Sequence, residues 1–197
     1  MENVKYRFDK DDLLAELSEW NRYFNRNVHL IACGGTALTL IGVKESTKDV
    51  DFTVPSIPEY NYLIRILEEL GYKRKATFGW SRGGTLIFDL FIGNYVYTTE
   101  LLNSPLDEGG NSKLFEYTHI YLGILNYYDL LITKIFRSTY VDIQDCLNLI
   151  KLKNKDINME HFENRYRETA SYDTSEKRDI SNLKNFLGVL KKEKIHE

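Results

Sequence analysis

The sequence predicts a mixed α/β (α+β) fold, with a mixed-sheet core over residues 1–122 and a helical subdomain over residues 123–197 packed on it. Three observations predict it. Short apolar runs bounded by glycine and proline alternate with helical periodicity in the first part. From Asn126 onward the apolar spacing is helical throughout. The run Thr85 to Ile92 is apolar except for Asp89, the pattern of a central strand covered on both faces.

Asp9 is placed to cap a first helix with the apolar stripe Leu13, Leu14, Leu17, Trp20 and Phe24, and Asn25 to Asn27 break that pattern. Val28 to Ala32 reads as a buried strand running into Gly34-Gly35, with a short helix from Thr36 to Ile41 straight after the turn. The polar Lys44–Thr47 segment loops back to a strand at Val50 to Val54. Pro55 and Pro58 punctuate the chain before a helix from Glu59 to Leu70, which Gly71 ends. A strand is expected over Tyr72 to Phe78, a hairpin turn around Ser81-Arg82-Gly83-Gly84, and a pairing of Asn94–Thr98 with the apolar run before it. Asn103 to Ser112 has the composition of a surface loop, and Leu114 to Tyr121 has weak strand character. Four helices complete the chain. The first carries the stripe Leu130, Leu131, Ile135 and Phe136, the next two span Val141–Leu152 and Met159–Ala170, and Ser175–Lys192 carries Ile180, Leu183, Phe186, Leu187 and Leu190.

With 197 residues, 43% of them hydrophobic and 28% charged, the chain is long enough to bury a core and too apolar for disorder. A net charge of −3 argues against a bulk electrostatic grip on nucleic acid but leaves room for a local basic groove. Cys33 and Cys146 are too far apart in sequence to suggest a zinc site or a disulfide framework, and they suit a reducing cytosol. The N-terminal residues lack the apolar core of a signal peptide, and no run approaches a membrane span. The expectation is a cytoplasmic protein with no membrane partner.

Residues 33–51 carry the chemistry. A Gly-Gly-Thr turn at Gly34, Gly35 and Thr36 can present backbone N–H groups and a hydroxyl to a phosphate, because glycine lets the main chain come close. Asp49 and Asp51, two apart on a strand, project from one face and can hold a divalent cation together. Taken singly, each has a plainer reading: a Gly-Gly turn is commonplace, and Asp-x-Asp often marks a solvated strand end. Asp89 is different, because a carboxylate amid Leu86, Ile87, Phe88, Leu90, Phe91 and Ile92 needs a partner or a metal if it is buried charged. In the helical half, Lys134 falls on or beside the apolar stripe, with Arg137 one turn later. Lys134 is then either a snorkelling lysine with its ammonium in water or a lysine turned into a cleft. Asp142 and Asp145 share one helix face, and Asp142 also suits the start of its helix. The four histidines are scattered and none pairs with a cysteine at ligand spacing.

The order Gly34-Gly35-Thr36, Asp49-Val50-Asp51 and a lone Asp89 on a later strand resembles the nucleotidyltransferase superfamily of DNA polymerase β type. The wording Gly-Gly-Thr-Ala-Leu and Lys-Asp-Val-Asp-Phe is most similar to the abortive-infection type IV toxin nucleotidyltransferases and related uncharacterised proteins, over residues 28–92 and more weakly to 150. The resemblance implies a nucleotidyltransferase core over residues 1–122. It also implies Mg²⁺- or Mn²⁺-dependent transfer of a nucleoside monophosphate from an NTP to a hydroxyl acceptor. Asp49, Asp51 and Asp89 would be the catalytic and metal-binding residues, with Asp51 bridging two ions and Asp89 helping to deprotonate the acceptor. Gly34, Gly35 and Thr36 would hold the β- and γ-phosphates. The Lys-x-x-Arg…Asp-x-x-Asp run implies that Lys134, Arg137 and Asp145 belong to the nucleotide site. The branch favours an RNA end such as tRNA, or a protein side chain, as acceptor, and an antitoxin as partner. The residues leave two alternatives open: a small-molecule acceptor of the antibiotic-modifying kind, and a catalytically silent NTP-binding or regulatory protein of the same fold.

Overall fold

The structure is a computed structural model and describes residues 7–83 and 86–193. The N-terminal segment read for a signal peptide, Gly84 and Thr85 of the expected turn and strand, and Lys194 and His196 lie outside the described residues.

Helix α1 (Lys10–Asn21) starts where expected: Asp9 accepts from the Asp12 backbone N–H and Asp12 reciprocates, a closed capping box. Phe24 lies beyond the helix but is buried all the same. Strand β1 (Val28–Ala32) leads into α2 (Gly34–Leu40), which begins on the glycines themselves rather than at Thr36. Strand β2 (Val50–Val54) is buried at every residue. Helix α3 (Ile57–Glu69) is capped by Ser56 and takes Pro58 into its first turn, where a missing N–H costs nothing; it therefore starts two residues before the expected Glu59.

The next segment differs from expectation. Tyr72–Phe78 is not one strand: β3 (Lys73–Arg74) is a two-residue edge and β4 (Gly79–Ser81) follows. Strand β5 (Phe88–Ile92) is shorter than the apolar run. Asn94–Thr98 does not pair with it; β6 (Tyr95–Val96) and β7 (Thr99–Glu100) form their own hairpin. Leu114–Tyr121 divides between β8 (Asn111–Glu116) and β9 (Ile120–Leu125), so the sheet continues past residue 122. Gly123 lies inside β9, where an added Cβ would come within 2.8 Å of Ile31 Cδ1. Helices α4 (Tyr127–Arg137), α5 (Tyr140–Leu152), α6 (Met159–Ser171) and α7 (Glu176–Glu193) follow, the first three capped by Asn126, Thr139 and Asn158.

The main sheet has seven strands in the order β3-β4-β5-β2-β1-β9-β8. The pairs β1–β9 and β2–β5 are parallel, and the other neighbours are antiparallel. This topology positions the site. The chain leaves β1 and β9 at the same end of the sheet at which it enters β2 and β5. The glycine turn, the Asp-x-Asp start of β2, the Asp89 start of β5 and the entry to α4 are therefore neighbours. One contiguous apolar cluster runs from Leu13 of α1 through the strands to Leu190 of α7, so sheet and helices share a core. Among the described residues no helix is long and apolar enough to cross a membrane.

Candidate active site

Parallel pairing of β2 with β5 makes Asp51 and Asp89 register partners, so two carboxylates stand side by side on adjacent strands. Asp51 is only 3% exposed, and its Oδ1 has no hydrogen-bond partner. Burial, reinforced by the charges of Asp89 and Asp49 and opposed by a hydrogen bond from Tyr97, pushes its pKa up to about 7. Asp89 is half-buried and is raised too, by burial and then by Asp49. Asp49 is exposed just ahead of β2. Asp89 lies against Gly79, where a Cβ would come within 3.2 Å of its Oδ1.

Among the described residues, no three His, Cys, Asp or Glu side chains close into a ready-made metal cluster. The donor chemistry nonetheless fits a hard divalent cation. Burial and neighbouring acid charge oppose the ionisation of Asp51 and Asp89, and one buried oxygen is left without a partner, as happens where an ion would complete the site.

The glycine turn is built against these acids. Gly34 has φ +57°, and a Cβ there would strike Asp51 Oδ2 and come within 2.8 Å of the Tyr97 hydroxyl. At Gly35 a Cβ would lie 2.8 Å from Thr47 Oγ1. No side chain caps the N-terminus of α2. Thr36, by contrast, is fully buried, and its hydroxyl is engaged inside the protein. It accepts from the Asp51 N–H at 2.8 Å and donates to the Asp49 carbonyl at 3.3 Å, holding the start of β2 rather than facing the cleft.

Facing the acids is an ionic cluster from α4 and α5. Lys134 does not snorkel: it is 2% exposed, with Nζ 2.7 Å from Asp145 and 3.5 Å from Asp142. Arg137 donates to the same Asp142 oxygen, and the Thr139 hydroxyl donates to the other at 2.7 Å. Burial works against the Asp142 carboxylate, but Thr139, Arg137 and Lys134 together hold its pKa below the usual range. Asp145 is also bonded by Lys44 Nζ at 3.1 Å, a residue of the α2–β2 loop. The Arg137 guanidinium lies 3.8 Å from the centre of the Tyr97 ring.

Between acids and cluster lies a cleft of about 440 Å³. Gly35, Asp49, Asp51 and Tyr97 line one side, and Lys134, Arg137, Asp142 and Asp145 the other. Arg7, Lys44 and Lys48 add cations around it. Asp89 stands beside Asp51 on the next strand, partly exposed but not among the residues lining the cleft. Lys44, Lys48, Arg7 and Tyr97 carried no sequence signal. The three cations lie in polar stretches that folding alone brings to the cleft, and Tyr97 sits in a hairpin that lacks ordinary turn residues.

No protein-family model and no curated protein matches the chain. Two solved structures are similar to it. One is a crystal structure of ANT(2")-Ia in complex with adenylyl-2"-tobramycin, 17% identical over 89% of this chain and 93% of that one, with a TM-score of 0.41. The other is a solution structure of the antibiotic-resistance factor ANT(2")-Ia, 17% identical over 94% of each chain, again with a TM-score of 0.41. Both likenesses are distant.

Proposed function

We propose that the cleft binds an NTP with a divalent cation, Mg²⁺ or Mn²⁺, and transfers the nucleoside monophosphate to a hydroxyl acceptor, releasing pyrophosphate. The observation that carries this reading is Asp51: buried, with one orphaned oxygen, paired in register with Asp89, and facing a cationic wall across a cleft of nucleotide size.

Asp49, Asp51 and Asp89 would hold the cation, whose chemistry is to neutralise the phosphates and lower the pKa of the attacking hydroxyl. Gly35 lets the phosphate chain approach the backbone. Lys44, Lys134 and Arg137 face the triphosphate, with Asp145 fixing the two lysines and Asp142 the arginine. The acceptor oxygen attacks the α-phosphorus in line, the bond to the β-phosphate oxygen breaks, and Asp89 takes up the acceptor's proton.

An RNA end or a protein side chain is the favoured acceptor, with a toxin role and an antitoxin partner as the corresponding biology. Charge around the cleft supports that choice. Asp142 and Asp145 are already neutralised by Lys44, Lys134 and Arg137, so the acids left for a polycationic small molecule are the ones read as cation ligands, Asp49, Asp51 and Asp89. Tyr140, 79% exposed next to the cleft-lining Thr139 and Val141, offers a face for stacking. A catalytically silent NTP binder is the second reading, favoured by the absence of a closed three-ligand cluster among the described residues.

The test is incubation of the protein with each labelled NTP, Mg²⁺ or Mn²⁺, and separately total RNA, a protein lysate and candidate small molecules. The expected result is label in RNA or protein that disappears with Asp51→Asn. Label only in a small molecule would overturn the acceptor assignment, and NTP binding without transfer would favour the silent reading.

A further inference from the structure

We infer that Tyr97 is a positioning residue for the cation site: its hydroxyl holds one oxygen of Asp51 so that the other is presented to the cation, and its ring couples that carboxylate to Arg137 across the cleft. This rests on reading the cleft as a divalent-cation and nucleotide site.

Four observations converge on it. Tyr97 is one of two non-glycine described residues with positive φ, at +54°; the other is Ser138, directly after Arg137. It occupies the first loop position of the β6–β7 hairpin, between Val96 and its partner Thr99, where glycine or asparagine is the low-cost choice. A tyrosine kept there points to a task for its side chain.

The side chain reaches the site. Its ring packs on Phe91 of β5, centroids 4.7 Å apart, and carries the Arg137 guanidinium at 3.8 Å on its face. Its hydroxyl stands beside the Asp51 carboxylate, since a Cβ built on Gly34 would meet both it and Asp51 Oδ2. That hydroxyl fits only because residue 34 is a glycine: a Cβ there would lie 2.8 Å from it. The glycine turn thus makes room for Tyr97 as well as for any ligand.

The consequence falls on Asp51. With one oxygen engaged by Tyr97, the carboxylate is fixed in rotation, while Oδ1 keeps its lone pairs unshared and buried. A carboxylate held in this way binds a cation without first being ordered, the part played by hydrogen-bonding partners behind metal ligands. Arg137 is bonded in turn to Asp142, which Lys134 also contacts, so a continuous chain of contacts links the acid end to the cationic wall.

The test is Mn²⁺ binding without nucleotide, followed by calorimetry and electron paramagnetic resonance, in wild type, Tyr97→Phe, Tyr95→Phe and Asp51→Asn. Phenylalanine keeps the ring on Phe91 and under Arg137 and removes only the hydroxyl. Tyr97→Phe should bind Mn²⁺ about tenfold more weakly. In transfer assays it should lower kcat while leaving the KM for NTP near wild type. Tyr95→Phe, on the same hairpin but exposed and bonded to Glu100, should bind Mn²⁺ as wild type does. Wild-type Mn²⁺ affinity in Tyr97→Phe, with binding lost in Asp51→Asn, would overturn the role of Tyr97 alone. A Tyr97→Phe protein that does not fold would also overturn it, by assigning the hydroxyl a structural role. Unchanged Mn²⁺ binding in Asp51→Asn would instead overturn the cation site itself.

Discussion

The two walls of the cleft solve opposite electrostatic problems. On the α4–α5 side opposite charges are paired, Lys134 with Asp142 and Asp145, Arg137 with Asp142, and Lys44 with Asp145, although Arg137 Nε is left without a hydrogen-bond partner. On the sheet side Asp51 and Asp89 are register partners, Asp49 is close by, and one buried Asp51 oxygen has nothing to bond. A fold selected for stability alone would neutralise the second wall as it does the first. Like charges left together beside a cleft are the arrangement on which the proposed cation site rests.

The contrast is sharpest in pH dependence. Asp51 has its pKa raised from 3.8 to about 7 in the folded protein, so the native state binds the extra proton and stability falls as pH climbs through that window. The cost of ionising it approaches about 4 kcal/mol, at 1.36 kcal/mol per unit. Asp142 has the opposite sign. Its lowered pKa gives stability that is present above the unfolded value and lost as pH falls through the folded one.

Asp51→Asn should have the largest effect. Transfer should fall by at least about a thousandfold, as expected for loss of a charge acting on the reacting phosphate. In the same variant the cation-free protein should be more stable at pH 7.5, by a few kcal/mol, and the loss of stability between pH 4 and 7 should flatten; urea unfolding across pH reads both. Adding Mg²⁺ should raise the wild-type Tm and leave the variant unmoved.

Lys134→Ala comes next and strikes the other wall. It strips the closest partner from Asp145 and one from Asp142, with an expected loss of about 3 kcal/mol, moderated because Lys44 and Arg137 remain. NTP affinity should fall with it in calorimetry. If stability drops but affinity does not, Lys134 serves only the ionic cluster. Asp89→Ala should slow turnover more than it weakens NTP binding, measured as kcat against the NTP dissociation constant. The smallest effect belongs to Thr36→Val. It leaves the Asp51 N–H without its buried acceptor and should cost about 1–3 kcal/mol in urea unfolding, with no direct loss of phosphate contact.

What was legible in the sequence was mostly local. The succession β1, glycine turn, α2, β2 could be read because short apolar strands, a Gly-Gly pair and a polar return loop lie next to one another. The helices of the second half could be read from spacing and capping residues. The β6–β7 hairpin could not, because Tyr97 adopts a glycine-like conformation without being glycine. Strand β9 was legible only as far as Tyr121, because Gly123, which sits where β1, β8 and β9 crowd together, carries no strand signal of its own. Spacing alone could not choose between a snorkelling and a buried Lys134. That depended on Asp145 and on Lys44, a residue 101 positions from it in sequence. The role first read for the Thr36 hydroxyl also needed three dimensions, since its partners are backbone groups of the next strand.

The central claim is that the unpaired acid wall and the paired basic wall form one cation-dependent nucleotide site. Calorimetric titration of an NTP into wild type and Asp51→Asn, each with and without Mn²⁺, tests it most directly. Binding that needs both the cation and Asp51 is the predicted result. Equal NTP affinity in all four titrations would contradict it.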